Sequence, residues 1–251
     1  MKFLRFQYQD INSYGVLQGE SVIAIKGSPF GEFEFAKEYP LPEVEILAPC
    51  APSKIIAVGL NYVDHARELN MQVPEEPVLF MKPPTSLLSP EGGIAYPSVS
   101  EQVDYEAELA VVIKKQARFV SEEQADGVIL GYTCANDVTA RDLQKKDGQW
   151  TRAKGFDTFS PLGPYVVTDL DPSHLKIELF LNGKKKQSSS TSNMIFTCAR
   201  LVSFVSRVMT LVPGDVIMTG TPAGVGPMGV GDTVEVVIEG IGTLKNLVVK
   251  E

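Results

Sequence analysis

The chain has 251 residues, a hydrophobic content of 44%, a formal net charge of −8 and a pI near 5.0. This length suits one large domain or a large domain with a small appendage, and the acidic balance argues against nucleic acid, whose phosphates need a basic surface. No apolar stretch is long enough to cross a bilayer, and Met1-Lys2-Phe3-Leu4-Arg5-Phe6-Gln7 lacks the apolar core of a secretion signal, so a cytosolic, cytoplasmic setting is expected. Three cysteines, Cys50, Cys134 and Cys198, are odd in number and far apart. They encode neither a disulfide framework nor a CxxC zinc site.

Residues 1 to about 50 read as short strands, best at Phe3–Gln7 and Val22–Ile25. Tyr39-Pro40-Leu41-Pro42 through Pro49-Cys50-Ala51-Pro52 reads as a linker, which puts a boundary near residue 50. Lys54–Gly59 is a compact strand, Asn61–Leu69 a short helix and Val78–Met81 a strand. Val103–Ile113 reads as one long strand. Ser121–Asp126 suits a short capped helix, and Val128–Ala135 another strand. Asn182-Gly183 after Ile177–Leu181 signals a hairpin, because both residues tolerate positive φ. Met194–Val208 shows helical apolar spacing. The end is rich in strands and glycine. Strands dominate and helices are few, which indicates a strand-dominated mixed α/β fold and not a doubly wound sheet.

Within Val103–Ile113, Asp104, Glu106 and Glu108 alternate and share one strand face, while Val103, Tyr105, Ala107, Leu109, Val111 and Ile113 share the other. Like charges two residues apart repel, more strongly inside a domain. A basic partner, a raised carboxyl pKa or a bound cation would relieve that repulsion. Oxygen ligands suit Mg²⁺, Mn²⁺ or Ca²⁺. An ExE pair on a strand is more often a solvated face. The apolar flanks, Asp104, and a further acid, Asp137, at the end of the next apolar strand favour a metal cage.

Thr139-Ala140-Arg141-Asp142-Leu143-Gln144 follows directly. Arg141 could hold a substrate carboxylate as a fork, with Gln144 beside it. A helix start capped by Thr139 and Asp142 explains the same residues by spacing alone. Lys154 could stabilise an oxyanion, although lysines are usually at the surface. His65 and Glu68 share a helix face, and a carboxylate beside an imidazole raises its basicity. His174 fits a turn, and Cys134 and Cys198 read as small core residues. The loop Gly220-Thr221-Pro222-Ala223-Gly224-Val225-Gly226 lacks the features of a nucleotide site. A tight turn presenting backbone groups and the Thr221 hydroxyl to a small anion fits it better.

These segments together resemble the fumarylacetoacetate hydrolase family. The similar pieces are Gly59-Leu60-Asn61-Tyr62 with His65 and Glu68, Asp104–Leu109, Asn136–Gln144, Lys154–Phe159 and Pro161–Pro164. Leu181-Asn182-Gly183 and Pro213–Ile217 leading into Gly220-Thr221-Pro222 complete the set. They run from Lys54 to the C-terminus. The first fifty residues resemble the small N-terminal extension of many prokaryotic members. The resemblance implies a β-roll around a β-barrel-like sheet at residues 51–251, a small β-rich domain at 1–50, and a homodimer. It implies Mg²⁺, alternatively Mn²⁺ or Ca²⁺, held by Glu106, Glu108 and Asp137. It places Arg141, Gln144, Lys154 and Thr221 around the substrate, and His65 with Glu68 on a lid. Asn70–Glu76 and Lys145–Trp150 follow the family pattern less closely, which makes them candidates for substrate choice.

The activity that follows is metal-dependent hydrolysis of a C–C bond in acylpyruvate-type 2,4-dioxo acids, through a metal-stabilised enolate, in the catabolism of aromatic compounds. His65, Glu68 and Lys154 would be catalytic. Decarboxylation of an oxaloacetate-type 2-oxo acid and isomerisation of a 2-hydroxyhepta-2,4-diene-1,7-dioate share that enolate and stand as alternatives. A binding module for metal and keto acid is the non-catalytic alternative.

Overall fold

A computed structural model describes residues 1–251. The chain opens with four strands, β1 (Lys2–Tyr8), β2 (Ile11–Gln18), β3 (Ser21–Gly27) and β4 (Phe33–Pro40), paired antiparallel in that order. Gln9 and Asp10 join the first two at positive φ, 47° and 63°, which matches the twist of a two-residue hairpin. The segment expected as a linker is partly sheet. After a short 3₁₀ turn at Leu41–Glu43, β5 (Glu45–Leu47) returns along Arg5–Gln7.

Next come β6 (Ile55–Gly59), helix α1 (Val63–Glu68) and β7 (Val78–Lys82). They lead through β8 (Leu87–Leu88) and β9 (Gly93–Tyr96) to β10 (Val103–Tyr105) and β11 (Ala107–Ile113). The strand expected over 103–113 is therefore two. Glu106 gives its N–H to the Asn136 side chain instead of a neighbouring strand, and the chain changes sheets there. The 3₁₀ helix Glu122–Gly127, closed by a capping box between Ser121 and Gln124, stands where a short capped helix is expected. After it come β12 (Ile129–Asn136), β13 (Thr139–Ala140), α2 (Arg141–Asp147), α3 (Thr151–Lys154) and β14 (Ser160–Val167).

The hairpin of β15 (Lys176–Leu181) and β16 (Lys184–Ser190) turns on Asn182 and Gly183, at φ 52° and 72°. Helix α4 (Cys198–Val208) starts later than its apolar spacing suggests. Ile195 N–H and both backbone groups of Phe196 are held by Asn61, and Thr197 caps the helix by accepting from Arg200 N–H. Those bonds keep 194–197 out of the first turn. The chain ends with β17 (Val216–Met218), β18 (Gly226–Met228), β19 (Thr233–Ile238) and β20 (Gly242–Lys250).

Twelve strands form one sheet, with the path β4-β3-β2-β1-β14-β12-β11-β17-β6-β7 and β5 and β8 beside it. Five strands form a second, β16-β15-β19-β20-β9, and three a small third, β13-β10-β18. The middle of the large sheet is buried on both faces. Ile56, Val58, Leu109, Val111 and Ile217 point into a core shared with the second sheet and α4. Ile55, Ala57, Ala110, Val112, Val216 and Met218 fill a smaller core on the opposite face. Burial on both sides explains why these strands read as unbroken apolar runs. The buried thiols of Cys50, Cys134 and Cys198 are pushed up to about 12 by desolvation, as fits core residues. No helix is long and apolar enough to cross a membrane.

Candidate metal centre and substrate cavity

The break between β10 and β11 creates the centre. Glu106 sits at the break, Glu108 lies two residues into β11, and Asp137 follows the end of β12, which pairs with β11. Asp137 N–H donates to the Glu106 carbonyl at 2.9 Å, which fixes the two backbones together. One carboxylate oxygen from each of Glu106, Glu108 and Asp137 lies within 4.8 Å of the others, and all three residues are buried. Asp104 shares their side of the chain but stands outside this cluster, opposite Arg141.

Three cations meet these acids. Lys154 donates to Glu106 Oε2 at 3.0 Å and to Asp137 Oδ2 at 2.7 Å, and is 2% exposed instead of lying at the surface. Lys82, fully buried at the end of β7, donates to Asp137 Oδ1 and to the Val138 carbonyl. Arg141 Nε donates to Asp104 Oδ2 at 2.8 Å, Nη1 to Gln144 Oε1 at 2.6 Å, and Nη2 to Glu106 Oε1. Helix α2 does not use Thr139 and Asp142 as caps. Thr139 Oγ1 donates to the Asp137 carbonyl at 2.9 Å and lies 3.2 Å from Glu106 Oε1, and Asp142 accepts from Ser100 and Glu101.

Asp104, Glu106, Glu108 and Asp137 thus make four carboxylates against three cations. Glu108 is the acid without a cation in contact; its Oε2 accepts from Gly220 N–H at 2.8 Å. Burial, then the charges of Asp137 and Glu106, raise its carboxyl well above the ordinary range. Burial would raise Glu106 too, but Lys154 and then Arg141 outweigh it and hold that carboxyl low. Burial lowers the Lys82 ammonium, against the pull of Asp137. In Lys154 the same desolvation is overcome by Asp137 and Glu106, and its pKa rises. A buried oxygen-only donor set with one uncompensated acid fits a hard divalent cation. Glu106, Glu108 and Asp137 are the residues that would hold it.

A cavity of about 310 Å³ opens beside these acids. His65, Arg141, Gln144, Lys154 and Thr221 reach its wall, and so do Leu60, Leu69, Met71, Phe80 and Trp150. Both segments marked for substrate choice contribute, through Met71 and through Lys145 and Trp150. A wider open groove of about 690 Å³, bordered by Met1, Phe33 and Tyr132, contains no such ligating cluster.

Helix α1 carries His65 over the cavity. His65 Nδ1 meets Glu68 Oε2 at 2.8 Å, and Glu68 Oε1 accepts from Gly224 N–H at 3.0 Å. An ionised carboxylate only accepts, so Nδ1 bears the ring proton and Nε2 is left as the base. The loop after β17 approaches α1 closely. A Cβ on Gly220, whose φ is +97°, would stand 2.7 Å from Asn61 Cβ, which makes glycine necessary there.

Of the residues expected at the site, Glu106, Glu108, Asp137, His65, Lys154, Arg141, Gln144 and Thr221 line this cavity, and Glu68 stands behind His65. Lys82 is absent from that expectation. It shares a strand face with Phe80, which lies on the cavity wall, 5.1 Å from the Lys154 ammonium. Gln187 and Asn136, both buried, are likewise absent from it.

Residues 54–249 match the family described as fumarylacetoacetate (FAA) hydrolase C-terminal. The chain belongs to the fumarylacetoacetate hydrolase family. Residues 1–49 match a second description, Rv2993c-like, N-terminal. An uncharacterised protein of Archaeoglobus fulgidus is 63% identical over 213 residues, 85% of each chain. The mitochondrial oxaloacetate tautomerase FAHD2A of Bos taurus is 44% identical over 223 residues, 84% of this chain and 71% of that protein. A crystal structure of a 5-carboxymethyl-2-hydroxymuconate delta-isomerase from Mycobacterium smegmatis superposes with a TM-score of 0.95 at 46% identity, covering all of both chains. Family members are enzymes that act on small molecules, and this chain has their fold.

Proposed function

We propose that this protein is a divalent-metal-dependent enzyme that moves a proton on the carbon beside the keto group of a 2-oxo acid, as an isomerase or tautomerase. The observation that carries this reading is one cavity holding a buried three-carboxylate cluster, a buried lysine and a histidine whose partner leaves Nε2 basic. The tautomerase and delta-isomerase relatives support proton transfer over bond cleavage.

A divalent ion held by Glu106, Glu108 and Asp137 would supply Lewis-acid polarisation of the oxygens of the 2-oxo acid head. Arg141 has five N–H donors and commits three of them within the chain. Two remain to orient the substrate carboxylate, beside Gln144. His65 Nε2 removes the proton from the carbon next to the keto group, and the C–H electron pair moves toward the keto oxygen. Lys154 stabilises the negative charge that grows there. Return of the proton at another atom completes the isomerisation. Glu68 keeps the imidazole in the basic tautomer and stabilises its protonated form. Leu60, Leu69, Met71, Phe80 and Trp150 keep water from the reacting carbon and hold the carbon chain.

Hydrolysis of an acylpyruvate C–C bond is the second reading, favoured by the same His65–Glu68 pair, which could take its proton from water. Decarboxylation would require neither residue. Incubation with Mg²⁺ and oxaloacetate or acetylpyruvate in D₂O, followed by NMR, separates the three. Enzyme-dependent deuterium entry beside the keto group, above the uncatalysed rate and without cleavage, is the expected result. Acetate and pyruvate from acetylpyruvate would replace it with hydrolysis, and pyruvate and CO₂ from oxaloacetate with decarboxylation. The proposal includes a homodimer acting in the cytosol, and a division into residues 1–50 and 51–251.

A further inference from the structure

One side chain of the basic hairpin turns inward. Strand β16 reads Lys184-Lys185-Lys186-Gln187-Ser188-Ser189-Ser190, and Gln187 is its buried residue, 1% exposed. Its Oε1 accepts from Ala107 N–H at 2.9 Å, between Glu106 and Glu108 in the chain. Its Nε2 donates to the Pro222 carbonyl and to Thr221 Oγ1, both at 2.9 Å.

Amide oxygen and nitrogen are assigned from their partners, and here the partners permit one answer. The Ala107 N–H can only donate, and the Pro222 carbonyl can only accept. The amide nitrogen therefore faces Thr221, and the Thr221 oxygen is the acceptor in that bond. Its own proton has no acceptor within the chain, although the residue is 5% exposed and lies on the cavity wall. We infer that Gln187 is a positioning residue that fixes the polarity of the Thr221 hydroxyl, aiming its O–H into the cavity as a donor to an oxygen of the substrate. With the proton free and one lone pair already taken by Gln187, that subsite suits a carboxylate or carbonyl oxygen. Gln187 has this role only if the cavity takes a 2-oxo acid. It deepens the proposed function by adding a residue that never touches the substrate.

Oxalate, a dianion with the same adjacent oxygens, serves as the probe. Its affinity for the Mg²⁺-loaded protein is measured calorimetrically for wild type, Thr221→Ser, Thr221→Val, Gln187→Met and the double variant Gln187→Met/Thr221→Val. Thr221→Ser keeps the donor and stays near wild type. Thr221→Val loses about tenfold or more, as expected for a hydrogen bond to a charged acceptor. Gln187→Met loses a comparable factor alone but adds nothing in the Thr221→Val background. A role confined to tethering the hairpin would instead give the same loss with or without the hydroxyl, and that additivity overturns the inference. Wild-type affinity in Thr221→Val overturns it as well, and this arm stands even if Gln187→Met fails to fold. Mg²⁺ binding without oxalate binding in the wild type would overturn the 2-oxo acid reading itself, and the role of Gln187 with it.

Discussion

Replacing Lys82 with methionine removes a buried cation at little change in volume. Its ammonium is fully buried against Asp137 and 3.2 Å from the Val138 carbonyl. The substitution leaves four carboxylates against two cations, and Asp137 keeps Lys154 alone, at 2.7 Å. Removing one partner of a buried ion pair costs about 3–5 kcal/mol. For a chain of this size, at about 2–4 °C per kcal/mol, the melting temperature should fall by about 6–20 °C. Circular dichroism melts in EDTA measure that fall. Added Mg²⁺ should recover much of it, because a dication near Asp137 replaces the lost charge. A melting temperature within about 2 °C of wild type in EDTA would refute Lys82 as the counter-ion of Asp137. An equal fall with and without Mg²⁺ would refute an ion beside that carboxylate.

The raised Glu108 carboxyl sets a pH dependence in the metal-free protein. The folded state holds a proton that the unfolded state releases above the ordinary carboxylate range, so stability falls as pH rises from there toward the folded-state pKa. Melts in EDTA at stepped pH should show that slope; saturating Mg²⁺ should flatten it, and Glu108→Gln should remove it. Glu106 works in the opposite sense, since its lowered pKa contributes stability that is lost as pH falls below the ordinary carboxylate range. His65→Ala should reduce turnover by about 10²–10⁴-fold while Mg²⁺ affinity, measured by calorimetry, stays near wild type. Unchanged turnover would remove His65 from proton transfer. Gly59→Ala should raise KM, because the new Cβ would stand 2.9 Å from the Trp150 ring and displace it from the cavity wall. An unchanged KM would show that Trp150 does not shape the substrate site.

Much of the site was legible because it obeys strand periodicity. Glu106 and Glu108 share a phase while Leu109, Val111 and Ile113 enter the main core, so acids and apolar groups separate by parity along one segment. The three remedies expected for crowded acids all occur or fit: Arg141 and Lys154 as partners, a raised pKa at Glu108, and a cluster suited to a dication. The division of that segment at Glu106 was not legible. No glycine or proline marks it, and its cause is a side chain 30 residues away, Asn136, that takes the Glu106 N–H. Lys82 and Gln187 escaped for a related reason. Each lies in a run that reads as ordinary surface or strand end, and its burial depends on elements distant in sequence. The segment 194–197 has helical spacing, yet Asn61, 135 positions from Phe196, claims its backbone. Local pattern was a good guide where one strand or helix decided the outcome, and a poor one where a long-range polar bond did.

A crystal grown with Mn²⁺ and examined for the anomalous signal of manganese tests the central claim most directly. The account predicts one strong peak among the carboxylate oxygens of Glu106, Glu108 and Asp137, lost in Glu108→Gln/Asp137→Asn. A fully loaded crystal with no peak among those oxygens, or with its peak held by other residues, would contradict it.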